Sequence, residues 1–177
     1  MPKILRPSLK NLVGMKDLVG AEIGVFLGNN TKTIFENLDI KKLYLIDPYN
    51  EDSSIFKNAR YRAFVIERQA HFNLESYEDR IIWIKDVSDN IIYYIEDNFD
   101  FVYVDGDHGY SGVIRDLSIF YNLVKNGGII GGHDFDAETD GNQVRRAVYD
   151  FFAPMKKEVH SDFDPDDSKT LDWWVFK

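Results

Sequence analysis

The feature that most constrains this chain is a repeated alternation: short apolar runs, each ended by polar residues and glycine, separated by longer amphipathic stretches. Strands that are each followed by a helix can pair only in parallel, with the helices covering both faces of the sheet. Gly20–Phe26 reads as the first strand, and Thr31–Leu38 as a helix capped by Asn30 or Thr31. Lys42–Ile46 is the second strand, stopped by Asp47-Pro48, and a long helical stretch runs from about Ser53 to Leu74. Arg80–Ile84 and Phe99–Val104 are the third and fourth strands, with a helix from about Ser88 to Asp97 between them. Val113, Leu117, Phe120, Tyr121 and Val124 then recur on one helical face, closed by Asn126-Gly127. Gly127–Gly131 is a fifth strand and Gln143–Phe152 a further helix. Two last strand-like runs, Lys157–Ser161 and Leu171–Phe176, have no helix between them and predict an antiparallel hairpin at one edge.

The expected architecture is therefore α/β: a Rossmann-like three-layer sandwich on a mostly parallel seven-stranded sheet with a C-terminal antiparallel hairpin. With 177 residues the chain suits one domain over 1–177, residues 1–18 being a short N-terminal extension. Net charge is −9, which argues against general nucleic-acid binding, because phosphate neutralisation needs a basic footprint. The absence of cysteine excludes a disulfide framework, a thiolate metal site and a cysteine nucleophile. The N-terminus has no apolar signal core and charged residues interrupt every long apolar run, so neither secretion nor a membrane span is expected, and the cytoplasm is the expected location.

In a parallel sheet of this kind, ligands bind beyond the carboxyl ends of the strands, near the point where strand order reverses. Each early strand here ends in residues suited to that. After the first come Glu22, Gly24 and Gly28, glycines that let a turn pass under a ligand or simply make a tight turn. After the second comes Asp47, placed to accept hydrogen bonds from both ribose hydroxyls or merely to end the strand. Asp86 follows the third, an acceptor for an exocyclic adenine amine or a cap for the next helix. The fourth strand ends in Asp105-Gly-Asp107-His108, and the fifth in Gly132-His133-Asp134. These two clusters belong to neighbouring strands. Asp105, His133 and Asp134 offer two carboxylates and an imidazole to a divalent cation, while His108 is a fitting base near neutral pH.

The runs Ala21–Gly28, Leu45–Tyr49, Phe101–Tyr110 and Gly127–Phe135, with the ending Asp172–Lys177, resemble class I S-adenosylmethionine-dependent methyltransferases. More narrowly, they resemble the small-domain family related to macrocin-type sugar O-methyltransferases. The resemblance implies that Glu22, Gly24 and Gly28 lie against the methionine part of S-adenosylmethionine, that Asp47 holds the ribose, and that Asp86 and Val87 flank the adenine. It places Asp105 on the methyl-donor side, with His108 where a catalytic lysine stands in related metal-dependent enzymes. A magnesium or manganese ion at Asp105, His133 and Asp134 would complete such a site, although histidine is a poor ligand for magnesium. The implied reaction is methylation of a hydroxyl on a small-molecule or glycosidic acceptor.

Only about twenty residues precede the first strand and no long insertion follows, so the acceptor side is expected to be open or covered by a second subunit of a homo-oligomer. Its available walls are Tyr61–Tyr77 and the acidic loop Asp162–Lys169, with Tyr110, Trp173 and Trp174 as aromatics for stacking on a sugar. Two other functions fit the same architecture. A nicotinamide-dependent oxidoreductase is disfavoured by the absence of Gly-x-Gly-x-x-Gly and of Tyr-x-x-x-Lys, and a non-catalytic binding module would leave the residues around His108 without purpose.

Overall fold

A computed structural model describes residues 4–50, 62–136, 143–165 and 170–177. The strands are β1 (Leu18–Ile23), β2 (Ile40–Ile46), β3 (Ile81–Ile84), β4 (Phe99–Val104), β5 (Val124–Gly132), β6 (His160–Phe163) and β7 (Leu171–Phe176). The helices are α1 (Asn29–Asn37), α2 (Ala63–Leu74), α3 (Tyr110–Leu123) and α4 (Val144–Phe152). They surround one seven-stranded sheet of order β3-β2-β1-β4-β5-β7-β6. β1 to β5 pair in parallel, and β7 runs antiparallel to both β5 and β6. The chain winds outward from β1 in both directions, so the switch point lies between β1 and β4.

Because both faces are covered, the central strands are apolar on both sides. In β4, Val102 and Val104 point into one core with Leu117 and Phe120 of α3 and Phe152 of α4. Phe101 and Tyr103 point into the other, with Ile34 of α1 and Ala70 and Leu74 of α2. The segment ahead of β1 belongs to this second layer: Pro7–Leu12 forms a 3-10 helix that buries Leu9 and Leu12. Among the described residues no helix is long and apolar enough to cross a membrane.

Several boundaries differ from the sequence expectation. α1 begins at Asn29 behind Gly28, which is left-handed at φ 73°, and has no side-chain cap. The expected caps, Asn30 and Thr31, instead bond the buried Glu22. Of the long stretch from Ser53, residues 53–61 lie outside the described part and the helix spans Ala63–Leu74. The helix expected from Ser88 to Asp97 is only a 3-10 turn, Ser88–Tyr93; Asp97 is drawn onto the sheet by Lys42 and the Tyr44 hydroxyl, both at 2.7 Å. Asn126-Gly127 does not close α3. The helix ends at Leu123, and the buried, β-branched Val124 pairs with Phe99 before the register slips between Val124 and Ile129, a stretch that contains Gly127 at φ 81°. The hairpin also starts later than expected, at His160.

Candidate functional site

The site forms where the carboxyl ends of β1, β4 and β5 are pressed together, and glycines permit the approach. A Cβ on Gly24 would stand 2.0 Å from the carbonyl oxygen of Asp105, and the residue has φ 84°. A Cβ on Gly132 would stand 2.1 Å from the carbonyl oxygen of Val104. Side chains at these positions would push apart the ends that carry Glu22, Asp105 and His133. Gly28 serves the same edge differently: it turns the chain into α1, and a Cβ there would meet the Leu74 side chain at 2.7 Å.

Glu22, at the end of β1, is almost wholly buried. Asn30 donates to one carboxylate oxygen at 3.0 Å and the Thr31 hydroxyl to the other at 2.5 Å. Burial nevertheless dominates, and with help from the nearby Asp105 it pushes the Glu22 carboxyl up to about 7 against those hydrogen bonds.

Asp47 stands at the expected place after β2. One of its oxygens accepts the amides of Val25 and Phe26, both at 3.0 Å, and the other accepts that of Tyr49 at 2.8 Å. It thereby clamps the turn between β1 and α1. The Tyr49 hydroxyl and the Asn73 amide hold the same turn through the carbonyls of Phe26 and Leu27. Within the clamp Phe26 is left-handed, φ 50°, with its ring exposed. Asp86 accepts the amide of Val87 and the side chain of Asn90, so it braces the start of the 3-10 turn, whose N-cap is Val87 and which has no side-chain cap bond; Val87 is exposed beside it.

The densest chemistry lies between β4 and β5. Asp105, His108 and Asp134 each offer an atom such that all lie within 4.8 Å of one another. His108 Nε2 is 3.2 Å from Asp134 and 3.6 Å from Asp105. That nitrogen is shielded from solvent, yet neither carboxylate closes a hydrogen bond of normal geometry to it. Asp105 and then Asp134 raise the His108 pKa above its usual value, outweighing burial. Burial works against the charge on Asp134, but His133 and His108 outweigh it and keep this carboxyl below the usual range.

His133 is turned differently. Its Nε2 faces Asp164 at 3.2 Å and Thr170 at 3.1 Å, while its Nδ1 is 3.4 Å from Asp134. The sequence places His133 beside Asp105 and Asp134, whereas the structure brings His108 into that cluster. The donor atoms suit a divalent cation that tolerates nitrogen, such as manganese, better than magnesium, which prefers oxygen. The aromatics also divide. Trp173 is wholly buried and so is a core residue, while Tyr110 bonds Asp150 and Trp174 stacks on His160.

Sequence reasoning missed Thr31 and Asn30 as partners of Glu22, Tyr49 and Asn73 as holders of the turn, and the Arg6–Asp164–Thr170 group around His133. For Asn30 and Thr31, polar side chains in the first turn of the helix behind a buried acid were an available signal. The others join residues far apart in the chain and left none.

A methyltransferase domain family model matches residues 21–135, well over half of the chain. An uncharacterized protein of Acanthamoeba polyphaga mimivirus is 30% identical over 159 residues, covering 88% of this chain and 69% of that protein. Among solved structures, an rRNA methylase from Streptococcus thermophilus superposes with TM-score 0.66 at 12% identity, covering 96% of this chain and 91% of that one. An O-methyltransferase from Bacillus cereus in complex with SAH gives 0.63 at 15% identity, covering 90% and 74%. At such identities the solved structures speak to the fold, while the match over 21–135 speaks to descent. The chain belongs to the methyltransferase domain family and has the fold of class I S-adenosylmethionine-dependent methyltransferases.

Proposed function

We propose that the protein transfers the methyl group of S-adenosylmethionine to a hydroxyl oxygen of a small-molecule or glycosidic acceptor. The observation that carries this reading is the convergence of Asp105, His108 and Asp134 at the switch-point edge, against the glycine turn of β1. The cofactor would lie along that edge, its methionine part near Glu22 and Gly28, its ribose at Asp47 and its adenine at Asp86 and Val87. S-adenosylmethionine supplies an already activated methyl, so positioning is most of the remaining task.

His108 accepts the proton of the acceptor hydroxyl. Asp134 and Asp105 orient the ring and stabilise the imidazolium that forms. The new bond joins the hydroxyl oxygen to the methyl carbon as the carbon–sulfur bond breaks, and the uncharged thioether departs.

A second reading is favoured by the incomplete hydrogen bonding of His108 Nε2: Asp105, His108 and Asp134 together hold a divalent cation. Bound there, a cation would lower the pKa of the acceptor hydroxyl. In that reading His108 is a ligand, and the hydroxyl proton leaves to solvent.

Calorimetric titration with S-adenosylhomocysteine, with and without manganese or magnesium, tests both readings. Micromolar binding supports the cofactor assignment, and binding strengthened by the metal supports the second reading. No binding under either condition, with NAD bound instead, would sink both.

A further inference from the structure

His133 directly follows β5, and its amide bonds Val104 O at 3.3 Å. Its ring is largely buried, and its far nitrogen, Nε2, is held from two sides by Asp164 at 3.2 Å and Thr170 at 3.1 Å. The Arg6 guanidinium bonds the same oxygen of Asp164 that faces the ring. The Asp164 amide in turn bonds the Thr170 carbonyl at 3.0 Å, which ties the two holders of the ring together. On the near side, Nδ1 meets Asp134 Oδ2 at 3.4 Å, and this same oxygen lies 3.2 Å from His108 Nε2. Asp134 has a left-handed backbone, φ 57°, which a residue with a side chain keeps only where its surroundings impose it.

We propose that His133 is a positioning residue: fixed by Asp164, Thr170 and Arg6, it holds the Asp134 carboxylate against His108 and Asp105. Ligation by His133 would require its ring to give up Asp134 on one side or Asp164 and Thr170 on the other. The converging atoms of the site belong to Asp105, His108 and Asp134. Arg6, Asp164 and Thr170 lie outside the family match over 21–135, so this hold on the reactive edge comes from residues beyond the matched segment. The inference deepens the reading of the site given above and rests on it only for the role of Asp134 beside His108.

The test is a spectrum of the metal-free protein labelled with nitrogen-15 at histidine. Long-range proton–nitrogen correlations report both ring nitrogens of His108, and Asp134→Asn sets the shift that loss of this carboxylate produces. His133→Gln and Asp164→Asn are expected to move the His108 signals in the direction set by Asp134→Asn. Ser8→Ala, which removes a bond to the buried Asp172 on the same side of the sheet without touching the ring, is expected to leave them in place. If Asp164→Asn does not fold, Thr170→Val removes one hold on the ring and is expected to give a smaller shift of the same sign. His108 signals unchanged in both His133→Gln and the Asp164 or Thr170 variant would overturn the proposal.

Manganese titration followed by electron paramagnetic resonance adds a second readout. One coupled imidazole nitrogen is expected in the wild type, retained in His133→Gln with affinity about tenfold weaker, and lost in His108→Gln. A coupling lost in His133→Gln and kept in His108→Gln would make His133 the ligand and overturn the proposal. Failure of the wild type to take up manganese would sink the cation reading alone, leaving the His108 signals to decide the positioning role.

Discussion

Glu22 makes the stability of this protein depend on pH in a direction opposite to that of most carboxylates. Its folded pKa is raised from 4.5 to about 7, chiefly by burial. Below 4.5 the group is protonated in both the folded and the unfolded chain and has no effect. Between 4.5 and about 7 the unfolded chain has released its proton while the folded one retains it, so the free energy of unfolding falls as pH rises; above about 7 the loss is complete. Each pH unit of that interval is worth about 1.4 kcal/mol, so the whole amounts to about 3 kcal/mol. Glu22→Gln keeps the shape and removes the charge. Its amide oxygen can accept from Asn30 and its amide nitrogen can donate to the Thr31 hydroxyl, so the local bonds survive in reoriented form. Urea unfolding of the wild type and of Glu22→Gln from pH 4 to pH 8 measures the effect. The variant is expected to gain on the wild type steadily up to pH 7, ending about 3 kcal/mol ahead of its relative position at pH 4. Two parallel stability curves would refute the reasoning, because they would mean that the buried carboxyl costs nothing to ionise.

The same carboxyl predicts that S-adenosylhomocysteine, whose ammonium would lie near Glu22, releases a proton on binding at pH 7; calorimetric enthalpies should then vary with the ionisation heat of the buffer. Gly24→Ala adds a Cβ 2.0 Å from a carbonyl oxygen at φ 84°, and is expected to cost more than about 2 kcal/mol in thermal unfolding and to abolish cofactor binding. Asp47→Ala removes the acceptor of three backbone amides and is expected to weaken S-adenosylhomocysteine binding at least tenfold, with faster amide exchange at Val25 and Phe26. His108→Ala should slow methyl transfer by at least a hundredfold with cofactor affinity nearly unchanged. In the wild type the rate should rise with pH through a pKa above the usual 6.5, because the base acts in its neutral form and its carboxylate neighbours hold the proton more tightly.

What was legible in the sequence, and what was not, follows from the range of the forces involved. The order of strands and helices is written in local apolar periodicity, because a strand buried on both faces must read as a continuous apolar run, as Phe101–Val104 does. The edge on which chemistry gathers follows from that order and from topology alone, which is why Glu22, Asp47 and Asp105 could be placed before any coordinates. Side-chain direction is another matter. His108 and His133 each follow a strand end closely, and nothing in their spacing tells which ring enters the cluster. That choice is made by Asp164 and Thr170, from the far end of the chain, which hold the His133 ring, and by Arg6, which holds Asp164 across a sequence separation of 158 residues. Glu22 illustrates the same limit from inside one element: Asn30 and Thr31 have the composition of helix caps, but a buried carboxylate nearby demands hydrogen bonds more strongly than an exposed helix end that water can satisfy. A polar residue near this edge therefore takes the partner whose isolation would cost most, and that cost is set by burial, a property of the whole fold. For the same reason, the substitutions that should most disturb the reactive edge include residues, such as Asp164, that no motif near the edge contains.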